Sequence, residues 1–347
     1  MAEHNDVILR AEHVKKYFPI TGLFSKRFNS KGVCVRAVTD VSFDVREGET
    51  IGIVGESGCG KTTLRRCIVR AIEASEGEVI YTAKNGETMD FLKLDKKQMK
   101  GVRKEIQMIF QDPYSSLDPR MTVIDIIGEP LKANFPKMSK EEREQKVIDI
   151  AKKVGLNTTY LKRYPHAFSG GQRQRIGIAR ALILQPRVIV CDEAVSALDV
   201  SIQAQIINLL KDLQKEMNLT YIFISHDLSV VEHISDKVGV MYLGKMVEFG
   251  ETEKLFSSPH HPYTEALLSA VPIADPDIQS ERIPLMGEIP NPANPPSGCY
   301  FHERCRYCRN KCAEESPELC NVDDRLVSCH LAEELKLRGF DYDAEAK

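Results

Sequence analysis

The sequence predicts an α/β fold: a mixed, largely parallel sheet covered by helices, followed by a small Cys-rich C-terminal domain. Three observations carry this expectation. From residue 8 to about 258, short β-type runs alternate with amphipathic stretches at helical period. A glycine-rich turn, Gly55-Glu-Ser-Gly-Cys-Gly-Lys61-Thr62, joins one such run to a helix-like stretch. Composition then shifts near residue 258, since nine of the 17 prolines lie between Pro259 and Pro296 and six of the ten cysteines between Cys299 and Cys329. The predicted units are therefore 1–258 and 259–347.

Continuous apolar runs place buried strands at 50–54, 106–110, 188–191 and 221–224. Between residues 121 and 184 the strand signal disappears. Val147, Ile150, Ala151 and Val154 follow the charged run KEEREQK at helical spacing, so this stretch reads as a helical insertion with a solvated face. After Phe256 come a helical piece, HPYTEALLSAV, a Pro-rich linker and a compact Cys-rich unit at about 297–332.

With 42% hydrophobic and 28% charged residues, the 347-residue chain can bury a core. Its net charge of −3 gives no strong pull toward nucleic acid. No apolar run approaches the roughly 18 to 20 residues that span a bilayer, and the start MAEHNDVILR lacks a secretory pattern. A cytosolic location is expected.

The glycine-rich turn matches G-x-x-x-x-G-K-[ST], the phosphate loop of nucleotide-binding proteins. Gly55, Gly58 and Gly60 let the backbone curl so that amides and a helix N-terminus face phosphate oxygens. Glu56, Ser57 and Cys59 fill the loop, Lys61 would neutralise the β and γ phosphates, Thr62 would hold Mg²⁺, and Thr63 is placed to reach the α-phosphate. A second apolar run, VIVC, is followed by two acids, Asp192 and Glu193. Charge is expensive there unless a cation or a reaction uses it. Asp192 suits the Mg²⁺ shell, and Glu193 can accept a hydrogen bond from a water attacking the γ-phosphate; the bland alternative is an acid capping a loop.

Phe168-Ser169-Gly170-Gly171-Gln172 precedes the helix-forming IGIARALIL. Taken alone, SGGQ also suits a simple turn before a helix. With the two motifs above, however, the chain resembles the ATP-binding subunits of ABC transporters, whose signature is LSGGQ. The resemblance implies that Ser169, Gly170, Gly171 and Gln172 contact the γ-phosphate of ATP held by a second ATP-binding subunit. It further implies that Gln111 touches Mg²⁺ and the attacking water, that Asp199 crosses the dimer interface, that His226 contacts the γ-phosphate, and that Tyr17 stacks on adenine. Phe168 replaces the usual Leu at an apolar packing position.

Several segments resemble the oligopeptide and dipeptide importer branch: PITGLFSKRF, FQDPYSSLDPRMTV, HPYTEALLSAVPIADP and GEIPNPANPPSGCYFHERC. This implies two integral membrane permease subunits, a paralogous second ATPase, an external solute-binding protein, and a peripheral position on the cytoplasmic membrane face. Residues 114–123 would lie near the groove that receives a permease helix, although PYSSLDP also reads as a plain turn. Nickel or another small solute remains an alternative cargo, and a soluble ATPase acting on nucleic acid or ribosomes an alternative function, which the net charge and the single phosphate loop disfavour.

In a reducing compartment the tail cysteines favour metal over disulfides. Cys299, Cys305, Cys312 and Cys329 resemble the branch's Cys-x5-Cys-x6-Cys-x16-Cys pattern, which implies a [4Fe–4S] cluster whose charge Arg304, Arg306, Arg309 and Lys311 would offset. Cys305 and Cys308 with His302 or His330 leave Zn²⁺ open, and free thiols are a third reading; Cys320, like Cys308, falls outside the pattern. Cys34, Cys67 and Cys191 read as core residues, and Cys59 as oxidation-prone.

Overall fold

The structure is a computed structural model that describes residues 7–20, 34–271 and 282–340; parts of PITGLFSKRF and of HPYTEALLSAVPIADP lie outside them. The chain runs β1 (Val7–Pro19), β2 (Cys34–Arg46), β3 (Thr50–Val54), α1 (Lys61–Ile68), β4 (Glu76–Thr82), β5 (Thr88–Asp90), α2 (Lys96–Glu105) and β6 (Ile106–Ile109). Next come α3 (Val123–Asn134), α4 (Lys140–Lys153), α5 (Gly170–Leu182), β7 (Val188–Asp192), α6 (Val200–Met217), β8 (Thr220–Ile224) and α7 (Leu228–Ile234). Then follow β9 (Lys237–Tyr242), β10 (Lys245–Glu251), α8 (Thr252–Ser257), α9 (Pro262–Leu268), α10 (Asn310–Glu314), β11 (Cys320–Val322) and β12 (Arg325–Val327).

Apolar runs become central strands because both their faces are covered. Every residue of β3, β7 and β8 is buried, as parallel strands between two layers require. The main sheet has the order β11-β12-β10-β9-β3-β8-β7-β6. It is parallel from β9 through β6 and antiparallel at its other end, which makes it mixed. Successive side chains point to opposite faces, so Ile189, Cys191, Tyr221 and Phe223 enter one core while Val188, Val190, Ile222 and Ile224 enter another. The first core is shared with α3 to α9. The second is closed by α1, α2 and an antiparallel sheet of order β2-β1-β4-β5.

Residues 121–184 fold as the helices α3, α4 and α5 without a strand. The stripe read from the sequence faces inward: Val147, Ala151 and Val154 are fully buried and Ile150 nearly so. Ser139 caps α4, its Oγ accepting from the Glu142 amide at 3.1 Å. Among the described residues, no helix is long and apolar enough to cross a membrane.

The expected small Cys-rich domain is not found as a separate body. β12 pairs with β10, Glu248 opposite Val327 and Phe249 opposite Leu326, so the tail extends the main sheet. Phe301, 3% exposed, packs its ring 5.2 Å from Tyr242 and 5.3 Å from Tyr263. Few apolar residues of 299–332 are fully buried, and this segment is too short to hide a core of its own. It therefore borrows the main one. Phe301→Ala is expected to lower the stability of the whole chain by about 3 kcal/mol, read as an earlier midpoint of one urea transition; a second transition that alone moves would contradict the shared core.

Candidate functional site

Polar chemistry begins where the buried strands end. The loop after β3 is pressed against neighbouring backbone: Gly55 has φ +146° and Gly60 φ +108°, and an added Cβ would sit 2.2 Å from the Met241 and Ala37 carbonyl oxygens respectively. Helix α1 has no side-chain cap and no acid in its first turn, so its leading amides are left for an anion. Ser57, Gly58 and Thr62 are exposed and Thr63 is half-buried. The buried Lys61 donates from Nζ to the carbonyls of Gly55 at 2.5 Å and Glu56 at 3.0 Å. Cys59, read as oxidation-prone, is buried, and burial raises its thiol pKa. It is a packing residue shielded from oxidants.

Beyond β7, three of the predicted residues meet. The Glu193 carboxylate accepts from Gln111 Nε2 at 2.6 Å and lies 3.3 Å from His226 Nδ1. Gln111 follows β6 and His226 follows β8, so adjacent parallel strands deliver all three groups to one edge. Glu193 has φ +43°, a backbone state that costs a non-glycine residue roughly 1–3 kcal/mol and is held only by its surroundings. Here the hold includes its own amide, which donates to the Ile224 carbonyl at 2.8 Å. Asp192, 8% exposed, is ion-paired with Arg65 of α1. Burial brings Arg65 down to about 10, still a cation at neutral pH.

Ser169 caps α5 in a reciprocal box: its Oγ accepts from the Gln172 amide at 3.4 Å, and Gln172 Oε1 accepts from the Ser169 amide at 3.0 Å. Gly171 lets α6 approach, since a Cβ there would lie 2.6 Å from Ile202 Cγ2, while Gly170 is less confined. Phe168 is 8% exposed in the core, as its apolar position implied. α5 packs on α3, α4, α6 and β6, whereas α1 packs on β1 and β2. The two glycine-rich starts thus belong to separate parts of the chain. Asp199 is exposed at the start of α6 and makes no capping bond there, beside Val200, which is 81% exposed.

Tyr17 is half-buried in β1, paired in register with Arg36, whose neighbour Ala37 abuts Gly60. Phe18 is more exposed, with the Lys16 ammonium 5.0 Å from its ring centroid. Beside β6 lies an open groove of about 740 Å³ lined by Phe110, Ser115, Ser116, Glu129, Pro130 and Arg180 among others. PYSSLDP is indeed a turn: Asp112 accepts from the Tyr114 amide at 2.7 Å and the Ser115 amide at 3.3 Å. The turn leaves Tyr114 59% exposed.

The tail cysteines do not fit a metal shell as arranged. Among the described residues, no three His, Cys, Asp or Glu side chains are grouped so as to hold a metal ion. Cys299, Cys305, Cys312 and Cys329 lie near one another, and burial pushes Cys305 up to about 12 and Cys329 up to about 11. The cations expected to offset a cluster have other partners: Arg304 pairs with Glu56, Arg306 with Glu265, Arg309 with Glu334 and Lys311 with Glu315. His302 and His330 each engage a backbone carbonyl, of Cys299 and Glu315. Neither the iron–sulfur cluster nor the zinc alternative is supported.

Three residues of the site were missed in the sequence. Arg65 lies one helical turn after Lys61 on α1, a spacing that could have flagged it. Tyr263 and Arg304 reach the phosphate loop from the C-terminal segment, and no spacing rule connects them to it. Gly60→Ala is expected to destabilise the chain by about 3 kcal/mol through the added contact and the left-handed φ and to abolish nucleotide binding; a wild-type melting curve for this variant would refute the tight loop packing.

Comparison with known proteins identifies the family. Residues 38–196 match the ABC transporter family model, and residues 247–312 match the model of the oligopeptide/dipeptide transporter C-terminal region. The chain is similar to the oligopeptide transport ATP-binding protein AppF of Bacillus subtilis, 51% identical over 95% of this chain and 99% of that one. It is also similar to the dipeptide transport ATP-binding protein DppF of Haemophilus influenzae, 50% identical over 94% and 97%. A solved dimer of an ATP-binding cassette in a post-hydrolysis state, bound to ADP and phosphate, aligns with a TM-score of 0.59 at 27% identity, covering 70% of this chain and 98% of that one. The chain therefore belongs to the ATP-binding subunits of oligopeptide and dipeptide ABC transporters.

Proposed function

We propose that this chain binds and hydrolyses Mg²⁺-ATP as one of two ATPase subunits that drive a peptide importer from the cytoplasmic membrane face. The observation that carries this reading is the meeting of Gln111, Glu193 and His226 at the strand ends next to the Lys61 loop. Residues 1–258 act as the ATPase and 259–347 as its extension.

The amides of residues 55–63 and Lys61 hold the phosphates, Thr63 reaches the α-phosphate, and Tyr17 stacks on adenine. Thr62, Gln111 and Asp192 suit Mg²⁺, which when bound neutralises phosphate charge. Arg65 pairs with the Asp192 carboxylate and holds it in place. Glu193 accepts the hydrogen bond of the attacking water, which Gln111 and His226 orient. Ser169, with the first amides of α5 at Gly170, Gly171 and Gln172, closes on the γ-phosphate of the partner's ATP, and Asp199 crosses the interface. The exposed Val200 supports a buried face there.

ATP closes the two subunits, and hydrolysis removes the bridging γ-phosphate and lets them part. The partner is a paralogous subunit. Two integral membrane permeases receive the motion through the groove beside Phe110, and an external solute-binding protein supplies the solute. The peptide cargo rests on the names of the relatives, which favour an importer over an ATPase acting on nucleic acid.

Glu193→Gln is expected to keep ATP binding and to lower turnover by at least about a hundredfold, the usual scale for a lost general base. Normal ATPase rates from that variant in the assembled transporter would sink the assignment.

A further inference from the structure

The phosphate loop is gripped from behind by the C-terminal segment. Arg304 Nη1 donates to Glu56 Oε2 at 2.7 Å and Nη2 to Oε1 at 3.1 Å, a forked pair joining residues 248 positions apart. The Arg304 side chain is 5% exposed and that of Glu56 24%. Arg304 also donates from Nη1 to the Tyr242 hydroxyl at 3.4 Å and from Nε to the Met286 carbonyl at 3.3 Å. A second contact holds the backbone of the same residue: the Glu56 amide donates to the Tyr263 hydroxyl at 2.8 Å. Tyr263 is fully buried, its ring 4.8 Å from that of Tyr242.

Glu56 is the second residue of a loop whose proposed ligand is a polyphosphate. A carboxylate there repels that ligand unless a cation neutralises it. Lys61 does not do so, since its ammonium reaches the Glu56 carbonyl, not the carboxylate. Arg304 does. We propose that Arg304 is a positioning residue for nucleotide binding: it neutralises Glu56 and, with Tyr263, fixes the loop so that its amides face the phosphates. The C-terminal segment is then a working part of the nucleotide site.

This rests on the reading of the Lys61 loop as the nucleotide site, and the test separates the two. Calorimetric titration of the full-length chain with Mg²⁺-ADP is the measurement. Arg304→Met is expected to weaken binding on the order of tenfold, because it leaves Glu56 charged and unpaired. Adding Glu56→Gln to that variant is expected to recover most of the loss. Recovery is the deciding readout, because a merely structural Arg304 would leave the double variant as weak as the single one. Should Arg304→Met fail to fold, Glu56→Gln alone decides: with the carboxylate removed from the loop and the Arg304 cation kept, binding is expected to tighten about threefold and to become more salt-sensitive. Wild-type affinity in Arg304→Met, no recovery in the double variant, or weaker binding by Glu56→Gln would each overturn the proposal. Undiminished binding by Lys61→Ala would instead overturn the reading of the site itself.

Discussion

Burial of β3, β8 and β7 between two layers is the constraint from which the site follows. A strand covered on both faces can carry few polar side chains along its length. Its last residue, or the first one beyond it, is where a charge can stand. Parallel pairing then sets these ends beside that of β6, followed by the Lys61 loop, His226, Asp192 with Glu193, and Gln111. Glu193 pays for its place with a left-handed backbone, and the Ile224 carbonyl that receives its amide belongs to the neighbouring strand β8. The sheet that excludes water thus also fixes the carboxylate.

The same sheet explains why the tail is not a separate unit. β10 would be an exposed edge without β12, and an unpaired edge invites association. β12 and β11 cover it. Once the tail is docked there, Phe301 enters the core beside Tyr242 and Tyr263, and Arg304, next in space, meets Glu56. Edge protection and contact with the phosphate loop are consequences of one docking.

Much of this was legible in the sequence where the physical signal is local. The central strands appear as apolar runs because both faces are buried, and the loop after β3 because close backbone approach demands glycine at positions 55 and 60. Val147, Ile150, Ala151 and Val154 announced α4 by their period. The long strands β1 and β2 gave a weaker signal, since register shifts at Val14 and Lys16 break the alternation of inward and outward residues. β11 and β12 are three residues each, too short for any period. The Arg304–Glu56 pair was illegible for another reason: ion pairing between distant segments leaves no spacing to read. The basic residues among the cysteines invited an electrostatic role toward a cluster, yet each found a carboxylate, because charge seeks the nearest opposite charge once the fold has brought segments together.

The separation of the two glycine-rich helix starts bears on why a second subunit enters the proposed mechanism. Both α1 and α5 begin without an acid in the first turn, so each can face an anion. They pack on different elements of this chain, α1 on the antiparallel sheet and α5 on α3, α4, α6 and β6. The proposed sharing of one triphosphate between two subunits, each lending one helix start, is in keeping with this packing. Ser169 is suited to such sharing: its Oγ is held by a 3.4 Å bond from the Gln172 amide, near the limit for a hydrogen bond. A weak cap is released at little expense when a phosphate oxygen arrives, while the shorter bond from the Ser169 amide to Gln172 keeps the turn in shape. The signature can thus exchange an internal partner for an external one without unwinding the helix it begins.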